Sequence, residues 1–405
     1  MSDSWFDIAL GDVFNLDNSR LGRRDAEPEV LSLSKYDGLV RASDYFDKRI
    51  ASQQLDTYKL VPPEAWAYST IHIDEGSIAR NSLSFGGVIS PMYTTMIWRS
   101  EVCDPAFFEL LLRTPKMLSI YRDHARGTVN RRRSLNFETF ASLRVRVPRL
   151  AKQRQIVDLI AAVDETIDTA DGHKRILTKL QDSLADYLIW SNSSPRLPLK
   201  NLCVPRGLIG GPFGSSLVRS DYVLKGVPVI RGANLSTGSR FVGGDFAYVN
   251  EDKARVLQRN LARPGDVIAT QRGTIGQVVL VPDKPFKTYV VSQSQMRLRV
   301  DPEIVLPEYV YFALATNRIR SELGGRTIAT ANPHINLGIF GETAISVPSL
   351  EEQQRIVSLL LAIDAAIEVA GSATAARAST RSALLDDLLS GDHEIPAAYD
   401  ELLSA

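Results

Sequence analysis

Two glycine-rich stretches are where this sequence could do chemistry. Gly207 to Ser216 reads GLIGGPFGSS, and Arg272 to Gly276 reads RGTIG. Glycine lets a backbone approach a ligand closely, so the first stretch invites a phosphate-binding reading. It is not a Walker loop, because no Lys-Ser or Lys-Thr follows its last glycine and no βαβ unit frames it. Two readings stay open: a loop whose N–H groups, with Ser215 and Ser216, touch a DNA backbone, and a plain tight loop. Arg272 and Thr274, in a turn between two strands, suit a reader of a groove and equally a β-turn. The run Arg131, Arg132, Arg133 before Phe137 and Phe140 fits a phosphate track or a solvated loop.

Enzyme constellations are missing. His72, His124, His173, His334 and His393 lack partners at metal-ligand spacing, so no metal ligand is assigned. Cys103 and Cys203 read as isolated thiols. No GxSxG or nucleophilic cysteine signature occurs, and no dinucleotide fingerprint. The tetrapeptide used by amino-methylating enzymes is absent; Asn332-Pro333-His334 is the nearest and does not fit. Pro282-Asp283 lacks the acidic-x-Lys pair of a nuclease core. No catalytic residue is assigned, and a binding protein is expected rather than an enzyme.

The elements that must position these loops announce themselves by repetition. Val147 to Ile167, VPRLAKQRQIVDLIAAVDETI, returns 200 residues later as Val347 to Ile367, VPSLEEQQRIVSLLLAIDAAI. The match extends forward through Leu184/Leu384 and Leu188/Leu388, and back to Asn136/Asn336 and Phe140/Phe340. A period this long is no solenoid unit; it is a duplicated half-molecule. Ile156, Ile160, Val163 and Ile167, and again Ile356, Leu360, Ile363 and Ile367, form the 4-3 stripe of a helix that pairs with another helix. Ser349 with Glu352 spells a capping box. Gly172 and Gly371 are expected to bend or loosen the helices. Thr374, Arg377 and Arg381 replace apolar positions, so pairing should be tighter on either side of that stretch.

The chain length of 405 residues and hydrophobic content of 44% suit two or three ordinary globular domains. No apolar run approaches a membrane span and no leader is evident, so a soluble cytoplasmic protein is expected. A net charge of zero conceals segregation: residues 196 to 348 hold 19 basic and 11 acidic side chains, and 349 to 405 hold 3 and 10. Residues 76 to 148 hold 11 and 5, so basic surface concentrates in the two regions outside the helices. The expected fold is α+β (mixed α/β): a domain at 1–148, a helix at 149–194, a second domain at 195–348, a helix at 349–391 and a tail at 392–405. Strands are expected at Glu29 to Leu33, Trp66 to Ile73, Val88 to Trp98, Val227 to Arg231, Asp266 to Gln271, Gln277 to Val281, Tyr289 to Val291 and Gln295 to Val300. Single amphipathic helices are expected at Pro105 to Tyr121 and Pro307 to Leu323.

These residues resemble the specificity subunit of type I restriction-modification systems over essentially the whole chain. The two versions of VPxLxxQRxIVxxLxxIDxxI match that family's helical regions. GGPFGSSL (Gly210 to Leu217), SDYV (Ser220 to Val223), GVPVIRGANL (Gly226 to Leu235) and PGDVIATQRGTIGQVVLV (Pro264 to Val281) look like its target-recognition sequence. DYF (Asp44 to Phe46), WAYSTIHIDEGSIARNS (Trp66 to Ser82) and GVISPMY (Gly87 to Tyr93) look like a second type of the same domain. The resemblance implies two target-recognition domains, each followed by a long helix, the helices pairing antiparallel as a coiled-coil spacer. It implies a non-catalytic reader of double-stranded DNA that recruits two modification subunits, which methylate adenine N6 with S-adenosylmethionine. It also implies restriction subunits that use ATP and Mg, and no membrane. A helix of about 40 residues spans roughly 60 Å, against about 34 to 36 Å for one DNA turn. Because the two domains differ, an asymmetric two-part target with an unspecified gap is expected. Candidate DNA contacts are Tyr68, Ser69, Arg80, Asn81 and Ser90 in the first domain, with Arg131 and Arg132. In the second they are Arg219, Arg231, Asn234, Arg272, Thr274, Ser292 and Gln293, with Ser215 and Ser216. The alternatives are the specificity subunit of a methyltransferase-only or type IIB-like system, a coiled-coil scaffold, and a free-standing methyltransferase or nuclease.

Overall fold

The computed structural model describes residues 5–22, 28–45, 55–126, 133–191, 193–235, 239–327, 333–391 and 395. The chain forms two compact units, residues 1–169 with 374–405, and residues 170–373. The fold is α+β. Each unit thus joins one variable domain to a segment of both long helices, where the sequence suggested domains and helices in succession.

In the first unit, β1 (Phe14–Asp17), β2 (Trp66–Ser69), β3 (Ile78–Arg80) and β4 (Tyr93–Trp98) form an antiparallel sheet in the order β1-β4-β2-β3. In the second, β5 (Cys203–Gly210), β6 (Val267–Thr270), β7 (Val278–Leu280) and β8 (Gln295–Val300) take the same order, β5-β8-β6-β7. The duplication therefore covers the sheets, whose sequences no longer show it. Sheet geometry needs only alternating apolar positions and turns, so identity can be lost while topology stays. Around this shared frame the units differ. The first carries two antiparallel pairs, the hairpin Leu31–Ser34 with Gly38–Arg41, and Lys59–Val61 with Gly87–Ile89, between which two strands of the four-stranded sheet intervene in the chain. The second carries a five-stranded sheet in the order Tyr222–Val223, Ala247–Val249, Val227–Ile230, Tyr289–Val291, Leu261–Ala262.

The expected single helices are each two. In the first unit α1 (Pro105–Leu111) and α2 (Pro115–His124) are separated at Thr114, which accepts the Met117 N–H as N-cap; Pro115 cannot donate to a continuing helix. α3 (Phe137–Ser142) follows. In the second unit α4 (Pro307–Ala315) and α5 (Asn317–Gly325) break at Thr316 without a proline, its hydroxyl donating back to the Ala313 carbonyl. This competition with the helical ladder is how a threonine ends a helix. α6 (Leu337–Glu342) corresponds to α3, and Asn136 and Asn336 cap them by accepting the Thr139 and Ile339 N–H groups.

The proximal long helix spans Leu150–Trp190 and the distal one Leu350–Ser390. Both continue as α-helix through Gly172 and Gly371, so the expected interruption does not occur; about 1 kcal/mol per glycine is small against the packing of a long helix. Half of the capping box forms: Ser349 accepts the Glu352 N–H, but the Glu352 carboxylate meets Arg355 instead. In the first unit Ile156 and Ile160 share a core with Leu385 and Leu388, with Leu384 packed against it. Arg381 also clamps Asp164 across the two helices, Nη2 to Oδ2 at 2.8 Å. In the second unit Ile356 and Leu360 join Ala185 and Ile189 in one core, flanked by Leu184 and Leu188, and Gln181 donates to the Leu360 carbonyl. The start of one helix meets the end of the other in each unit, so both pairs are antiparallel. Val163, Ile167, Ile363 and Ile367 are half-buried, and 375–380 are exposed.

Two glutamines at equivalent places explain why both copies of the repeat carry Gln at this position. Gln153 accepts the Asp104 N–H and donates to the Pro148 carbonyl. Gln353 accepts the Leu306 N–H and donates to the carbonyls of Ile304 and Pro348. Each fully buried side chain ties the chain before α1 or α4 to the start of its long helix.

The distal helix is apolar beyond its packed stripe. An 18-residue window has mean hydropathy 1.8 with 17% of it buried, so by length and composition this helix could cross a membrane. The expectation that no stretch comes near a span is corrected on that point: Leu359 and Val369, exposed outside the packed stripe, add to its hydropathy.

Burial pushes the Cys203 thiol up to about 11 and raises that of buried Cys103. At pH 8 the thiolate fraction of Cys203 is then about 100-fold below that of an ordinary cysteine. A thiol reagent should modify the native protein slowly and the denatured protein at once; rapid labelling of both cysteines in the native state would contradict this packing.

Candidate nucleic-acid interface

At one end of the β5–β8 sheet, three turns are tied together. The Gly211 N–H donates to the Gln295 carbonyl at 2.9 Å, and the Gln271 and Arg272 N–H groups both donate to the Ser294 carbonyl. From the third side, the Gly273 N–H donates to Pro333 and the Ile335 N–H to Gln271. The RGTIG turn is therefore held between the turn before β8 and the segment leading into α6. Gln293 pins the glycine-rich loop, donating to the carbonyls of Gly214 and Leu217 at 2.7 and 2.8 Å, and Asn260 donates to that of Gly210. A Cβ on Gly211 would lie 1.9 Å from the Ser292 carbonyl oxygen, so only glycine permits this approach.

This frame presents Ser215, Ser216, Arg219, Arg272 and Thr274 to solvent. Arg272 and Arg219 make no side-chain ion pair or hydrogen bond among the described residues. The loop's far end is closed by Asp221, whose carboxyl lies below its ordinary range because it accepts the Val218 N–H and meets Lys253 at 2.9 Å. Free cations and hydroxyls on a rigid rim can hold an anionic backbone and reach base edges.

The first unit repeats the construction with other residues. The Leu135 N–H donates to the Thr70 carbonyl, as Ile335 does to Gln271, and the turn joins β2 to β3 as RGTIG joins β6 to β7. This turn, Thr70 to Ser77, is acidic where its counterpart is basic. Glu75 meets His72 at 3.0 Å and Lys35 at 3.5 Å, and the hydrogen bond from His72 leads in holding its carboxyl low. Asp74 lies 3.8 Å from Arg122. Ser90 is half-buried beside it, with Met92 65% exposed two residues on.

Several sequence candidates are placed elsewhere. Tyr68 is wholly buried, its hydroxyl donating to the Leu135 carbonyl and burial pushing it up to about 12. It lies within the strand rather than in the loop after it, and alternation puts it with Trp66 on the face that packs in the unit's largest core. Ser69 is buried at the strand end. Asn81 is buried and donates to the carbonyls of Val61, Pro62 and Phe85; Asn234 is buried and donates to those of Gly243 and Asp245. Each closes a loop from inside, the commonest use of a buried amide. Ser292 is buried against Gln295. Arg80 is neutralised by Glu64 at 2.9 Å and Glu109 at 3.0 Å, and Arg231 is half-buried with Nη2 on the Asp245 carbonyl. Gln293 acts as the pin described above. Arg131 and Arg132 lie outside the described residues, as does Phe46. Sequence reading passed over Phe213, 88% exposed between Pro212 and Gly214; an aromatic residue isolated among turn formers was the available signal.

Among the described residues no group of three or more His, Cys, Asp or Glu could hold a metal. Comparison with known proteins matches residues 221–373 to the model of the type I restriction modification DNA specificity domain. The chain is similar to the type I restriction enzyme MjaVIII specificity subunit of Methanocaldococcus jannaschii, 20% identical over 300 residues, covering 70% of this chain and 69% of that one. It is 23% identical over 274 residues to the putative MjaX specificity subunit of the same organism, covering 66% and 63%. A chain solved in work on complex assembly and conformational transition of the type I R-M system superimposes with TM-score 0.55 at 16% identity, covering 95% of this chain and 97% of that one. That likeness speaks for the fold.

Proposed function

From a chain that belongs to the specificity subunits of type I restriction-modification systems, we propose that each unit reads one half of an asymmetric, two-part target on double-stranded DNA. The observation that carries this is the pair of equivalent sheets ending in different turns: one frame, one basic rim with Arg272 and Thr274, one acidic turn with paired charges. A shared frame would present the two domains to DNA in the same way, while unlike turns give unlike half-sites. The chain itself performs no chemistry in this reading. It positions modification subunits that transfer a methyl group from S-adenosylmethionine to adenine N6, and restriction subunits that use ATP and Mg, in the cytoplasm where the host DNA lies. The apolar surface left on the helices, with Ile176 64% and Val369 70% exposed, suits the docking of a partner's helices.

The test is methylation mapping. Co-expressed with its modification subunit, the chain should add one asymmetric bipartite N6-methyladenine motif to host DNA. Exchanging residues 1–148 for those of another subunit should change one half of that motif alone. Arg272→Ala should relax the other half and weaken DNA binding by about 10- to 100-fold, the worth of one good base contact, in a salt-dependent assay. No new motif beside an active partner would leave the scaffold reading.

A further inference from the structure

We infer that Phe213 is the residue with which the second unit enters the base stack of its DNA target. The inference rests on the DNA-reading assignment above and adds to it a residue and a mode of contact. Phe213 is 88% exposed, belongs to none of the hydrophobic clusters, and has no aromatic partner among the described residues. The core beneath the loop is closed without it, by Leu217 against Val229, Val249 and Val290. Its position is nevertheless built. Gly211 on one side admits no side chain, Gly214 on the other has φ +53°, and the Ser216 N–H closes a turn onto the Phe213 carbonyl. Gln293 holds the carbonyls of Gly214 and Leu217. A ring held out of the core on a pinned loop loses little freedom when it inserts, which is the condition for a tight contact.

Its surroundings indicate what it enters. Next to it are the hydroxyls of Ser215 and Ser216 and, through the shared Ser292–Gln295 turn, the Arg272 rim. An exposed aromatic ring within an apolar patch would indicate a protein partner; one set among hydroxyls and cations matches the layout of a duplex, phosphates flanking an apolar stack. Proteins that wedge an apolar side chain between base steps use this combination.

The test uses the chain assembled with its modification subunit and duplexes carrying the motif found by methylation mapping. 2-Aminopurine is placed one position at a time through the half assigned to the second unit. The wild type should brighten the probe at one step, reporting unstacking. Phe213→Ala should abolish that signal and weaken binding by roughly ten-fold or more, with unchanged thermal melting because the ring is outside the core. Phe213→Trp should keep both. If Phe213→Ala brightens and binds like the wild type, Phe213 does not enter the stack. If it binds DNA normally but no longer retains the modification subunit, the ring is a protein contact and the inference is overturned. If the wild type itself neither binds nor methylates a motif, the DNA-reading assignment falls, and this inference with it.

Discussion

Gln353→Ala is expected to lower the unfolding free energy of the second unit by about 2 to 3 kcal/mol. The side chain is fully buried, and its loss would orphan the Leu306 N–H and leave the Ile304 and Pro348 carbonyls short of a donor; these backbone groups are only partly buried, and Ile304 is 38% exposed, so water can replace some of what is lost. Each such group costs about 1 to 3 kcal/mol, and the void left by the side chain adds to it. Gln353→Glu is the sharper probe. It keeps volume and the acceptor for Leu306, but turns a donor facing two carbonyls into a charged acceptor, so it should be at least as damaging at neutral pH and recover as pH falls. Gln153→Ala should destabilise in the same way and act on the first unit. Urea titrations of the variants decide it; a Gln353→Ala midpoint matching the wild type would mean that these bonds are not formed.

Arg297→Met should cost about 3 kcal/mol. Its guanidinium is almost wholly buried and donates to the carbonyls of Leu261 at 2.7 Å and Arg206 at 2.9 Å, with Gly207 and Arg259 at 3.4 Å. Burial lowers its affinity for the proton, and Nε is buried without a partner. Removing the charge therefore recovers some desolvation energy. The orphaned carbonyls outweigh that gain, because methionine offers them no donor. Arg206, at φ +61°, sits in the irregular part of β5 where the register with β8 shifts, and Arg297 holds its carbonyl there. Loosening it should also disturb the strand that delivers the glycine-rich loop, so DNA binding should weaken beyond what lost stability explains. Arg297→Lys should not rescue, since one ammonium cannot span carbonyls that a planar fork reaches together. A loss below about 1 kcal/mol for Arg297→Met would show that the charge's desolvation cancels its hydrogen bonds.

The long helices were legible because their signal is local. A 4-3 apolar stripe, a proline at entry and a 200-residue repeat need no knowledge of a partner, and the ends fell within a few residues of expectation. Strands such as Tyr289–Val291, a short apolar run, and Gln295–Val300, an alternation of polar and apolar residues, are equally plain between their turns. Single helices at Pro105 to Tyr121 and Pro307 to Leu323 were overdrawn, because their apolar positions continue across Thr114 and Thr316 while the hydroxyls there end the backbone ladder.

The candidate contacts divide along the same line. Ser215, Ser216, Arg219, Arg272 and Thr274, in loops whose glycines keep them at the surface, stay exposed. Tyr68, Asn81, Asn234 and Ser292 are polar residues in or beside inter-strand loops, and neither type nor loop position says which way a side chain faces. Sequence by itself determined the duplication, the helices that carry it, the charge segregation and the loops rich enough in glycine to approach a ligand. Only tertiary structure decided that both halves share one sheet order, that buried amides close their loops, and that Phe213 stands outside every core. Those outcomes depend on hydrogen bonds and burial between residues far apart in the chain, such as Gln293 with Gly214 and Ile335 with Gln271, which no local pattern records.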